Sequence, residues 1–194
     1  VEVGIPNFAN LFMTSPEINI DPTIAGSVVG TYWFLMMIGR LCGASIGAKV
    51  SSRAMLTVVS TVGIALGLGA IFCADNILVN MPVFKSDISF GFAQVPVNVM
   101  LLILCGLCTS VMWGGIFNLA VEGLGKYTAA ASGLFMVMVC GGGILPLIQG
   151  GVADFAGFLN SYWVIALGLA YILFYAAIGS KNVNTDIPTD DYEA

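Results

Sequence analysis

Five apolar stretches, each about twenty residues long, leave this chain few ways to fold, because a helix needs roughly 20 such residues to cross ~30 Å of hydrocarbon. They run Thr23–Ala48, Met55–Ala74, Val97–Val121, Thr128–Ala153 and Tyr162–Gly179. Over the 194 residues, 58% are hydrophobic and 9% charged, with a mean hydropathy of +0.97. A domain folded in water carries about 25% charged residues, so both a soluble domain and a disordered chain are excluded. The sequence predicts an all-α, polytopic membrane protein. A sixth stretch, Val1–Met13, is too short to span and has neither an initiating Met nor a polar lead-in. It is expected to be the remainder of a helix that starts upstream.

Charge and composition narrow the chemistry. Of eleven acids, Asp186, Asp190, Asp191 and Glu193 crowd the end of the chain, so removing these four takes the net charge from −5 to −1. The low isoelectric point therefore describes a tail (181–194) following a helical bundle (1–180), and nothing basic points to nucleic acid. With no His in the chain, histidine metal sites and His-based catalysis are excluded. Cys42, Cys73, Cys105, Cys108 and Cys140 all lie in apolar runs and read as small packing residues. Cys105-Gly-Leu-Cys108 lacks the exposed, electropositive setting that a redox pair needs. No nucleophile elbow, phosphate loop or metal cluster occurs. The chain reads as a non-enzyme without a cofactor.

Topology follows from the loops. Alternating spans put Lys49, Arg53, Lys126 and Lys181 on one side and Lys85 on the other. The excess of positive charge places the first side, with the C-terminus, in the cytoplasm. The longest connection, Asp75–Pro96, then faces outward as a loop. Small residues recur at helical spacing, at Gly26, Gly30, Gly39, Gly43, Gly47, Gly63, Gly67, Ala129 and Gly133 and in Gly141–Gly143. Such faces let helix backbones approach closely in lipid. They serve static packing or helices that slide, and the pattern fits both.

The polar residues inside the spans carry the functional signal. At ~1.5 Å per residue, Arg40 lies roughly 13 Å from Lys49, Trp113 roughly 13 Å from Glu122, and Glu2 roughly 18 Å from Thr14. All three fall near mid-bilayer, where an unpartnered charge costs about 2.5–3.5 kcal/mol or more. Pro6 makes the run after Glu2 irregular and leaves a backbone carbonyl without its helical partner; Asn7 and Asn10 follow. Trp113 is followed by Gly114 and Gly115, which leave room for a ligand, and then by Asn118. Gln149, after Pro146, needs partners for both ends of its amide. Asp154 and Glu122 sit at span ends and read as interface charges. A polar lining amid Gly-broken helices is the pattern of a transporter. A non-transporting subunit or channel module, its polar residues serving as interhelical glue, is the alternative.

Several of these runs also carry a family resemblance. Val1-Glu-Val-Gly-Ile5, Ile38-Gly-Arg-Leu-Cys-Gly43, Trp113-Gly-Gly-Ile-Phe117 and above all Ser132–Asp154 resemble the C-terminal half of the fucose–proton symporter family of the major facilitator superfamily. Within Ser132–Asp154 the signature is Gly141-Gly-Gly-Ile-Leu-Pro146 with Gln149-Gly-Gly-Val-Ala-Asp154. The glucose/galactose transporter branch is the nearer one. The resemblance implies a six-helix half running from a truncated seventh helix to the twelfth. It implies a hexose held between the two halves near mid-bilayer, a coupling ion expected to be a proton, residence in the inner membrane, and a missing N-terminal half as partner. Glu2 then matches a polar position of the seventh helix, and Trp113 an aromatic position of the tenth. Sugar hydroxyls are expected to bond Glu2, Asn7, Asn10, Asn118 and Gln149, with Trp113 stacked on the ring. Arg40 and Asp154 are the expected charge-pair residues that bias the conformational equilibrium.

Overall fold

A computed structural model describes residues 1–73, 76–85 and 87–181. The acids of the tail lie outside the described residues. Among the described residues, eight α-helices and one β-hairpin follow in the order α1 (Gly4–Thr14), α2 (Pro22–Gly47), α3 (Ser52–Phe72), β1 (Leu78–Phe84), β2 (Phe90–Pro96), α4 (Val97–Thr109), α5 (Met112–Val121), α6 (Thr128–Met138), α7 (Gly141–Ala156) and α8 (Phe158–Phe174). A single π-turn, Tyr175–Gly179, extends α8. Counting α4 with α5 and α6 with α7, five helical segments among the described residues are long and apolar enough to cross a membrane.

Local chemistry sets the helix starts. Asp21 accepts from the Thr23 backbone N–H at 2.8 Å, and Pro22 occupies the first helical turn of α2, where its missing N–H has no consequence. The same backbone N–H bond holds the exposed Asp21 carboxyl below its usual range. Ser51 caps α3 by accepting from Ala54 N–H at 3.3 Å. Between α7 and α8 the chain turns at Gly157, whose φ of +91° suits a residue without a Cβ.

Two of the long spans are interrupted. The Val97–Val121 stretch breaks at Ser110 and Val111, where Thr109 and Ser110 turn their hydroxyls back onto the Cys105 and Leu107 carbonyls at 3.2 and 2.6 Å. Such back-bonding bends helices. The Gly125–Ala156 stretch breaks at Val139 and Cys140, just before the glycine triplet. Both breaks border the cavities described below.

The Asp75–Pro96 connection is not a plain loop. Leu78 pairs with Pro96 and Phe84 with Phe90 in an antiparallel hairpin. Met81, Val83, Ala93 and Val95 are buried on its inner face, the period-two alternation of a half-buried strand. Pro82 is tolerated because a two-stranded sheet has only edge strands.

The core centres on α4, against which α1, α2 and α3 pack. Gly106 lets α2 approach, since a Cβ there would sit 2.7 Å from the Tyr32 carbonyl oxygen. The small-residue pattern is thus partly used. Gly39 and Gly43 meet Ser110 and Val111, whereas Gly26, Gly47, Gly133 and the Gly141–Gly143 triplet meet nothing within 4 Å.

Candidate substrate-binding cavity

Pro6 determines where Glu2 sits. Lacking an N–H, it leaves the Glu2 carbonyl without its helical partner four residues on. The hydroxyl of the fully buried Tyr32 donates to that carbonyl at 3.0 Å and shares a second hydrogen bond with Thr109 Oγ1 at 2.9 Å. Tyr162, on α8, likewise donates to the Ile5 carbonyl at 2.9 Å. Two buried tyrosines therefore fasten the start of α1 to α2, α4 and α8. Tyr32→Phe is expected to lower stability by about 1–2 kcal/mol, the loss of both hydrogen bonds of the Tyr32 hydroxyl in a membrane protein. Thermal unfolding of the purified protein measures it.

With its backbone fixed, Glu2 turns its carboxylate to Arg40 on α2, whose Nη2 lies 3.2 Å from Glu2 Oε1. The pair is not sealed: the Arg40 and Glu2 side chains are 58% and 32% exposed respectively. It borders a cavity of about 650 Å³ whose wall also carries Trp113, Gly114, Gly115 and Asn118 of α5 and Ser110 at the helix break. That size falls in the usual range for small-molecule sites. A second cavity of about 340 Å³ shares Glu2 and Trp113 and is closed by Phe135, Met138, Gly141 and Gly142. The Trp113 ring stacks on Phe117 at 5.6 Å with an interplanar angle of 2° and meets Phe135 edge-on at 5.8 Å. Two aromatic neighbours therefore hold an indole that remains 43% exposed.

Glu2, Arg40, Trp113 and Asn118 meet on one wall. The other expected residues lie apart from it. Gln149 is fully buried in a seam of α1, α7 and α8, donating to Ser161 Oγ at 3.4 Å, with its Oε1 unpartnered and facing Gly4. Asn7 is exposed and Asn10 half-buried on α1, and neither lines the two cavities at Glu2. Asp154 is exposed on α7, and the ion-pair partner of Arg40 is Glu2 instead. Arg40 and Glu2 face each other across the α1–α2 contact, whereas Asp154 sits near the C-terminal end of α7. Tyr32 escaped the sequence reading. Its signal was the carbonyl that Pro6 orphans, which requires a donor from elsewhere.

Chemically, this wall offers a carboxylate that accepts, a guanidinium that donates, an amide that does both, and a flat apolar ring. That set matches a small polyhydroxylated molecule with one apolar face, and it contains no reactive group poised against another.

The comparisons agree with the fold. The chain is 31% identical over 182 residues to a glucose/galactose transporter of Brucella abortus biovar 1 (strain 9-941), covering 93% of this chain and 39% of that protein. It is 30% identical over 185 residues to a putative glucose/galactose transporter of Helicobacter pylori (strain ATCC 700392 / 26695), with 93% and 40% covered. Over 92 residues, 47% of this chain and 21% of the relative, it is 33% identical to an L-fucose-proton symporter of Escherichia coli (strain K12). The chain spans about two fifths of the length of the glucose/galactose relatives. No family model and no solved structure matches it. Its apolar helices, its interrupted spans and this similarity along nearly its whole length agree: the chain belongs to the fucose–proton symporter and glucose/galactose transporter family of the major facilitator superfamily.

Proposed function

We propose that this chain is the C-terminal helical half (1–180) of a secondary transporter that carries a hexose by alternating access, coupled to a proton. The observation that supports this most is the shared wall of Glu2, Arg40, Trp113 and Asn118 in an open cavity. Glu2 and Asn118 bond sugar hydroxyls, Trp113 covers the apolar ring face, and the Glu2–Arg40 pair opens or closes as the helices move. A pair that forms in one state alone biases the equilibrium by its differential energy. The missing half forms the opposite wall, and the membrane is the inner one, with the C-terminus and the acidic tail in the cytoplasm. Gln149 serves as packing in this arrangement.

The test uses the full-length protein in sealed vesicles. Adding hexose is expected to drive sugar uptake together with alkalinisation of the outer medium. Glu2→Gln, which removes the charge opposite Arg40, is expected to lower uptake at least tenfold, equivalent to about 1.4 kcal/mol. Uptake with no pH change refutes proton coupling, and wild-type uptake in Glu2→Gln removes this carboxylate from the site. A C-terminal reporter active only outside the cytoplasm would reverse the orientation.

A further inference from the structure

The hairpin reaches round α2 to the side of that helix that faces away from the bundle. The six buried residues of α2 run from Ala25 to Gly39, and seven others, from Thr23 to Met37, line a cavity of about 860 Å³ beside the hairpin tip. At 100° per residue the two sets centre on opposite sides of the helix, roughly 170° apart. The tip is fastened there. Phe84 N–H donates to Thr31 Oγ1 at 2.8 Å, the Phe84 ring stacks on Phe34 at 4.8 Å, and Phe90 stands edge-on to both.

Depth sorts the lining of this cavity by polarity. A Cβ added at Gly30 would lie 3.4 Å from the Phe84 carbonyl oxygen, so the hairpin tip is level with Gly30. Gly30 is ten residues, about 15 Å, along α2 from the mid-bilayer Arg40. That is half the depth of a ~30 Å core, where hydrocarbon gives way to headgroups. On the bilayer side of this level the wall is Trp33, Phe34 and Met37; beyond it stand the hydroxyls of Thr23 and Ser27. From Thr23 to Met37 the groove covers about 21 Å, the depth of a single leaflet with its headgroups. Among the described residues that line it, Lys85 is the one with a charge, and it stands at the boundary. Asp87, its near neighbour, has its carboxylate occupied by the Ser89 hydroxyl at 2.6 Å and the Ser89 N–H at 3.3 Å, which holds that carboxyl below its usual range.

We propose that this cavity holds one phospholipid of the leaflet on the hairpin's side. Its phosphodiester lies at the Lys85 ammonium, and an acyl chain runs along α2 over Gly30, Trp33 and Met37. A cation at the membrane surface attracts anionic headgroups. A helix laid in the same groove would instead bury that ammonium without a partner, which is costly. The place of the lipid follows from the depth of α2 and does not depend on what the central cavity carries.

The full-length protein is reconstituted into nanodiscs containing phosphatidylglycerol with a diazirine at the middle of one acyl chain, irradiated, and mapped by peptide mass spectrometry. Adducts are expected between Trp33 and Met37, at least fivefold denser than at Leu167 and Tyr171, which are exposed on α8. Lys85→Gln is expected to lower the α2 adducts at least fivefold and leave those on α8 unchanged. Gly26→Leu should do the same, because its side chain enters the cavity from a position where a Cβ meets nothing within 4 Å. Adducts no denser on α2 than on α8, or unchanged in both variants, mean ordinary boundary lipid and overturn the site. A complete lack of adducts on α2 overturns it too, because helices of the missing half or of a second copy then cover the groove. Competition in the wild type is the second measurement should a variant fail to fold. Unlabelled phosphatidylglycerol is expected to displace the probe at least fivefold better than diacylglycerol, which lacks the phosphate. Equal displacement by the two, or displacement by hexose but not by phosphatidylglycerol, overturns the proposal.

Discussion

Replacing Trp113 by Ala in the full-length protein is expected to lower sugar affinity by at least tenfold, while Trp113→Phe stays within about threefold of wild type. Tenfold corresponds to about 1.4 kcal/mol, within reach of losing one aromatic face against a ligand. The geometry gives the reason. The indole is held by Phe117 and Phe135, borders both cavities that touch Glu2, and is 43% exposed. A purely packing role predicts instead that truncation lowers stability rather than affinity. Direct binding of radiolabelled hexose, with thermal unfolding in parallel, separates the two. Unchanged affinity in Trp113→Ala would remove the aromatic platform from the site.

The largest structural effect is expected at Gly106. A Cβ at this position lies 2.7 Å from a backbone oxygen of α2, the carbonyl of Tyr32, so no side-chain rotation relieves the contact. Gly106→Ala should cost about 1–3 kcal/mol, in the range of other overpacked cores, and Gly106→Leu should prevent folding. The consequence reaches the site, because Tyr32 also holds the Glu2 carbonyl. Any separation of α2 from α4 therefore strains the Tyr32–Thr109 hydrogen bond that ties α2 and the start of α1 to α4. Gly67 is the matched control: a Cβ there meets nothing within 4 Å, and Gly67→Ala should change stability by less than about 0.5 kcal/mol. Thermal unfolding in detergent measures all three variants. Equal effects at Gly106 and Gly67 would show that the α2–α4 contact is not limiting.

Glu2, Arg40 and Trp113 were legible as a set because charges and aromatic polarity are expensive at mid-bilayer, and counting helix rise gave all three a similar depth. Depth along a helix says nothing about direction around it. Gln149, polar and inside a span like them, points into the α1–α7–α8 seam. Asp154, a span-end charge expected with Arg40 among the charge-pair residues, is exposed on α7, and Arg40 meets Glu2. The hairpin was present in the text as alternation through Met81, Val83, Ala93 and Val95. Its signal was weaker than the twenty-residue runs on either side of it, and two prolines in the connection read as breakers.

Apolar length determined, from residue order alone, that this chain crosses a membrane several times as helices, because backbone in hydrocarbon must bond within its own segment. Small residues at helical spacing marked which faces are able to pack closely. Tertiary structure decided which of those faces do pack, and that Pro6 is answered by Tyr32. The physical reason is that helix period and hydropathy are local properties, whereas the rotation of one helix against another is fixed by side chains dozens of residues apart.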